Sequence, residues 1–298
     1  MLGTESLGLE LPIQAIIQGT LNGLAMGWVY VLMAMGLTLI FGIMEIMQFA
    51  HGEIYMLSGY IVYYLAAVYK VPFYIAALLS MAIIALFGVI LEKFLFRPIK
   101  HEEIAPFIMT NGLALVLQSF AVVSFGVYRR RLPKLADGSL EIMGSFIPQD
   151  RLVAVAGAVI LSGILYLFLK KTRFGMAMVA SAQSPEGAIS QGINPDRMSA
   201  LVMAMGCALA AAGGALAGSL FNVSPAMGTP ALIKGITILV LGGMGSLPGA
   251  IIGGLILGLV DGLVPIIFGA AWASILPLLL VIAVLLIRPQ GIMGRESK

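Results

Sequence analysis

Charge is scarce in this chain. Asp, Glu, Lys and Arg make up 10% of its 298 residues, where a soluble domain carries about 25%. Apolar residues make up 60%, against about 45–50% in ordinary globular proteins. A soluble globular fold is excluded. Cysteine is nearly missing: Cys207 stands alone, so no disulfide can close within the chain. His51 with Glu53 comes nearest to a metal or proton site, but one histidine and scattered acids do not make a ligand set. The pattern G-x-x-x-x-G-K-[ST] is absent, and no lysine follows Gly243-Met244-Gly245 to make a phosphate loop. If the chain's work uses ATP, another chain hydrolyses it. The string of intramembrane acids expected of an ion-driven pump is missing too. The opening MLGTESLGLEL has no basic side chain and carries Glu5 and Glu10, so no cleavable signal is expected. A first segment without cations is expected to start outside.

What is present is a series of apolar runs, several near the roughly 20 residues needed to span hydrocarbon. They fall at about 12–43, 49–69, 72–96, 104–126, 152–169, 198–221, 231–247, 248–268 and 272–288. The fold class expected is all-α, a polytopic membrane protein of about 8–10 spanning or re-entrant helices, forming one membrane domain over 1–298. The run 231–247 is short enough to be re-entrant. Starting outside, nine segments leave the C-terminus inside. Cations then divide ten to seven in favour of the inside. Lys93, Arg97, Lys100, Lys170, Lys171, Arg173, Arg197, Arg288, Arg295 and Lys298 fall inside. Lys70, Arg129, Arg130, Arg131, Lys134 and Arg151 fall outside, with Lys234 near that face. The loop of about 127–151 is expected outside, although Tyr128–Arg151 is rich in cations. Such a loop either docks a soluble partner or is simply solvated.

The polar stretch of about 170–197, KKTRFGMAMVASAQSPEGAISQGINPDR, is too polar to cross a bilayer. It contains a short helix with both ends written. Ser184 can cap it, Pro185 suits its first position, and Glu186 complements its dipole. Gly192 can end it in a left-handed conformation, which leaves about two turns. A short capped helix between two spanning helices is either a lever that a soluble partner grips or an ordinary connection. Small residues at four-residue spacing mark helix contacts in lipid. Gly19, Gly23 and Gly27 form one ladder, and Ala210, Gly214 and Gly218 another. The densest runs from Gly245 through Gly249 to Gly253, with Gly254, Gly258 and Gly262 as a second row.

Polar groups inside the apolar runs are costly and informative. Asn111 and Gln118 are seven apart, on one helical face, and are candidates to line a passage or to bond a neighbouring helix. Asp261 lies deep in an apolar run, placed to face a water-filled cavity or to pair with another helix. Glu45, Gln48, His51 and Glu53 read as a polar turn at the membrane face.

Together these stretches resemble the permease subunits of bacterial branched-chain amino-acid ABC importers, of the LivH type. The similarity runs nearly end to end: LNGLAMGWVYVLMAMGLTLIFGIM, MQFAHGEIYMLSGY, LEKFLFRPIK, MTNGLALVLQ, GMAMVASAQSPEGAISQGINPDRM, LVLGGMGSLPGAIIGGLILG and LLIRPQGIMG. FAHGE together with GGMGSLPGA is specific. The loop also resembles a reduced E-A-A-x-x-x-G signature, here Glu186-Gly187-Ala188 and Gly192. Gly187 stands where alanine is usual, and the downstream part is missing.

The resemblance implies a bacterial inner (plasma) membrane location and four kinds of partner besides lipid. These are a second homologous permease, two ATP-binding-cassette ATPase subunits that hold ATP and Mg, and an extracytoplasmic binding protein. No nucleic acid and no cofactor or metal of the chain's own is implied, and no catalytic residue. Leucine, isoleucine and valine are the implied cargo; urea, short amides and other amino acids travel on similar permeases. The implied mechanism is alternating access, with the helix at Pro185–Gln191 moved by the ATPases. Two other readings stand beside it. An ion-coupled secondary transporter or channel would need its own coupling-ion site, hinted at by Asp261 and by the length of the first run, which leaves room for a break near Gly27 or Gly36. An intramembrane enzyme would need paired catalytic groups, and His51 with Glu53 is the only local pair.

Overall fold

The computed structural model describes residues 13–99, 102, 104–136, 138–142, 145–269, 271–288 and 290–294. Residues 1–12, with Glu5 and Glu10, lie outside the described residues, as do Lys100, Asp137, Arg295 and Lys298. The fold is almost wholly helical. In order come α1 (Ile13–Met44), α2 (His51–Val62), α3 (Phe73–Leu91), α4 (Ala105–Phe125), strands β1 (Ser139–Ile142) and β2 (Ser145–Pro148), and α5 (Gln149–Lys171). Then follow α6 (Arg173–Gln183), α7 (Pro185–Ser190), α8 (Pro195–Phe221), α9 (Gly228–Gly242), α10 (Leu247–Ile267) and α11 (Trp272–Ile287). Each of the nine expected apolar runs is a helix.

Among the described residues, six helical stretches are long and apolar enough to cross a membrane: α1, Phe73–Ile99, α4, α5, α8 and α10. The first is unbroken over its 32 residues, with no break at Gly27 or Gly36. α9 has 15 residues, which is about 22 Å at 1.5 Å per residue and short of a ~30 Å hydrocarbon core. It stops where Gly243 and Gly245 take positive φ, so the short run at 231–247 ends earlier than its composition implies. α2 and α3 each widen at their ends into a π-helical turn, at Tyr63–Val68 and Glu92–Phe96.

Lipid gives helices no hydrophobic reason to associate, so close backbone approach must do it. α1 and α10 achieve this with glycine on both sides. A Cβ on Gly19 would stand 2.7 Å from the Gly262 carbonyl oxygen, one on Gly23 2.6 Å from that of Gly258, and one on Gly27 2.9 Å from that of Gly254. These are far inside normal contact distances of about 3.5–4.0 Å. Two of the ladders therefore mesh as one seam. Gly36 meets Gly206 of α8, Gly42 meets Gly245, and Gly249 lies on Gly242. Gly214 sits on the backbone of Tyr55, and Gly218 against Leu132 and Val223. α1, α2 and α8 form the core, where Val29, Leu32, Ile40, Ile54, Met56 and Met203 are fully buried. α3, α4 and α5 surround it and present apolar side chains outward.

The loop between α4 and α5 is folded rather than merely solvated. Arg130 and Val223 exchange backbone hydrogen bonds of 2.7 and 2.8 Å, and Leu132 and Leu135 are buried. β1 and β2 pair as an antiparallel hairpin. One polar expectation is corrected. Gln48, His51 and Glu53 do not form an exposed turn: they are 1%, 0% and 4% exposed, and of the four only Glu45 is exposed. The chain after α1 turns back into the bundle, so that α2 begins inside it. There His51 Nδ1 lies 3.0 Å from Gln48 Oε1, and the Thr229 hydroxyl donates to Glu53 at the start of α9. Gly52 lets this turn lie directly on the Gly228 carbonyl.

Candidate functional site

Two places carry chemistry, one at each end of α5. Its 23 residues hold them about 35 Å apart at 1.5 Å per residue.

At the end marked by Lys171, two helices replace the single one legible in the sequence. α6 starts at Thr172, whose hydroxyl accepts from Gly175 N–H at 3.0 Å. α7 starts at Ser184, whose hydroxyl accepts from Gly187 N–H at 3.1 Å. Pro185 occupies the first turn, where a missing N–H costs nothing, and Glu186 follows it. Gly192 has φ +76°, and the Ile193 N–H returns to the Ala188 carbonyl at 3.0 Å. This closes the helix with left-handed geometry that glycine adopts without strain. Asn194 then caps α8 by accepting from the N–H groups of Asp196 and Arg197. Ala188 is buried, whereas Ser184, Pro185, Glu186 and Gly187 face outward. Phe174, Met176, Val179 and Ile189 are exposed apolar groups beside the exposed cations Lys170, Lys171 and Arg173. Arg97 braces the exit of this unit. It grips Glu92 with two hydrogen bonds, of 3.1 and 2.7 Å, and reaches the Asp196 carbonyl at 3.4 Å.

At the other end lies a cavity of about 870 Å³ bordered by α1, α5, α8, α9, α10 and α11. Asp261 of α10 pairs with Lys234 of α9. Lys234 also donates to the Tyr30 hydroxyl at 2.7 Å, and its ammonium stands 4.4 Å from the centre of that ring. Arg151, at the start of α5, donates to Asn22 of α1, and Gln18 donates to Asn22 at 3.2 Å. Polar side chains from three long helices and the short α9 thus converge where apolar helices meet.

The three passage candidates do not come together. Only Asp261 lines this cavity. Gln118 lines a separate groove of about 580 Å³ with Arg129 and Ser224. Asn111 gives its amide to the Phe107 carbonyl one turn back. Gln18, Asn22, Tyr30, Arg151 and Lys234 join Asp261 at the cavity, and the sequence alone marks none of them as a site residue. Gln18 and Asn22, four apart, share a helical face that the sequence shows; Lys234 reads in sequence only as an orientation charge. Its pairing with Asp261, 27 residues away, has no local signature.

Comparison with known proteins decides the family. The profile described as branched-chain amino acid transport system / permease component matches residues 19–285. The chain belongs to this family. It is 33% identical to the high-affinity branched-chain amino acid transport system permease protein BraD of Pseudomonas aeruginosa, over 94% of this chain and 96% of that one. It is 34% identical to the corresponding permease protein LivH of Salmonella typhimurium and 32% to LivH of Escherichia coli, with the same coverage. As a branched-chain amino acid permease relative, the chain is a multi-pass membrane transport component of the ABC type. The family spans both the seam of α1 and α10 and the capped helix α7.

Proposed function

We propose that this chain is the membrane permease of an ATP-binding-cassette importer for leucine, isoleucine and valine. It works in the bacterial inner membrane beside a second homologous permease. Two ATPase subunits bind ATP and Mg and grip α6 and α7. An extracytoplasmic binding protein delivers cargo at the opposite end. The chain acts as one permease domain, with the α4–α5 loop extracytoplasmic, α6 and α7 cytoplasmic, the N-terminus outside and the C-terminus inside. Ser184, Pro185, Glu186, Gly187, Ala188 and Gly192 form the coupling element.

The observation that carries this reading is an end-to-end family match combined with a capped, outward-facing helix far from the polar cavity. α7 is only six residues long, so it has few internal hydrogen bonds and takes its shape from its caps and from what grips it. Exposed Ile189 and Met176 offer apolar grip, and the flanking cations offer charge. A push there moves α8 through Asn194 and α3 through Arg97, and α8 is the centre of the core.

The test is leucine uptake into proteoliposomes that hold the whole complex, with the binding protein supplied on the delivery side. Uptake that needs ATP and the binding protein is expected. Uptake that survives ATP depletion but collapses with an uncoupler would transfer the chain to the ion-coupled transporters. Topology is checked with an impermeant thiol reagent in a Cys207→Ser background. Lys134→Cys is expected to label from outside; labelling only from the cytoplasmic side overturns the orientation.

A further inference from the structure

We propose that the cavity around Lys234 and Asp261 is a receptor for the zwitterionic head of a free amino acid. The ammonium of the cargo goes to Asp261, and its carboxylate to Lys234 and Arg151. The proposal rests on the import function above and adds to it where the chain holds its cargo.

An ion pair between the apolar helices of a membrane bundle is expensive and faces the bundle interior or a water-filled space. This pair borders open space: the Lys234 side chain is 34% exposed and that of Asp261 15%. The cavity volume of about 870 Å³ lies within the range of small-molecule sites, about 300–1,000 Å³. Among the described residues, its charged lining is Arg151, Lys234 and Asp261, two cations and one anion. A lone carboxylate would meet Asp261, and a lone ammonium would meet two cations. A zwitterion inserts between Lys234 and Asp261 and gives each a partner of opposite sign, without adding net charge to a low-dielectric site.

A second observation points the same way. Pro265 lies within α10, four residues after Asp261. Proline has no N–H, so the Asp261 carbonyl lacks the donor its helix would normally supply. Asp261 therefore offers an ammonium its carboxylate at a weakened turn of α10. The remaining lining is largely apolar, with Met26, Leu257, Ile266 and Leu278 available to an aliphatic side chain. A purely structural pair would not need open space beside it.

The experiment uses the complete complex and three variants: Lys234→Met, Asp261→Asn and the double Lys234→Met/Asp261→Leu. Assembly is read by gel filtration. Binding to the complex without its binding protein is read as a thermal shift with leucine, with 4-methylpentanoate (no ammonium) and with isopentylamine (no carboxylate). Leucine should stabilise the wild type and neither analogue should. Each single variant should assemble yet lose leucine uptake by about tenfold or more, the worth of one charged hydrogen bond. The double variant should stay inactive with no leucine shift. A double variant that imports leucine at the wild-type rate would reduce the pair to a brace between α9 and α10. Equal stabilisation by either analogue, or no leucine shift in a wild type that imports leucine, also overturns the proposal. A wild-type complex that imports no leucine at all overturns the functional reading, and the proposal with it.

Discussion

α1 and α4 are both apolar enough to cross a membrane, yet 78% of the spanning stretch of α1 is buried within the chain against 17% of that of α4. Apolarity does not separate them; small residues do. α1 carries Gly19, Gly23 and Gly27 on one face, and each meets backbone of α10. α4 has Gly112, where an added Cβ would meet nothing within 4 Å. Its large side chains, among them Phe107, Leu115, Val116 and Val123, point outward. In lipid, then, position in the bundle is decided by where backbones can touch, because hydrocarbon rewards no apolar side chain for turning inward.

Gly258→Leu should give the largest effect. Its Cβ would press on Gly27 Cα and the Gly23 carbonyl. Overpacking costs about 1–3 kcal/mol where side chains can yield, and backbone yields less. Loss of folded protein is expected on detergent extraction, and the same for Gly254→Leu. Gly112→Leu should change the thermal midpoint little, as an exposed substitution within about 0.5 kcal/mol. A Gly258→Leu complex with wild-type stability would erase the contrast between the two helices.

Ala188→Pro comes next and separates folding from coupling. It removes the bond from Ala188 N–H to the Ser184 carbonyl, 2.9 Å, and proline inside a helix costs about 3 kcal/mol. The seam of α1 and α10 is untouched. The variant should insert and pair with the second permease yet lose transport and binding-protein stimulation of ATPase activity. Wild-type uptake would return α7 to being an ordinary connection.

Smaller effects follow on the same helix. Ser184→Ala removes the acceptor for Gly187 N–H and should cost about 0.5–2 kcal/mol locally. It should lower stimulated ATPase activity partway. Glu186→Lys opposes the helix dipole by roughly 0.3–1 kcal/mol near a surface, and its uptake should fall least. The reverse order of these two would mean that Glu186 makes a direct contact with the ATPase.

The sequence by itself determined the class, the nine apolar helices, the caps of α7 and the glycine faces. All are short-range properties: a cap reads three residues, and a ladder repeats every four. It also held enough motif to reveal the family. Three things were decided only by tertiary structure. The Gly19–Gly27 ladder packs against Gly254–Gly262 rather than another face, because matching two ladders needs the distance between helices. Gln48, His51 and Glu53 look like a surface turn by composition, yet lie buried because the chain folds back after α1. Lys234 and Asp261 are 27 residues apart on different helices, and only the packing of α9 on α10 makes one charge the partner of the other.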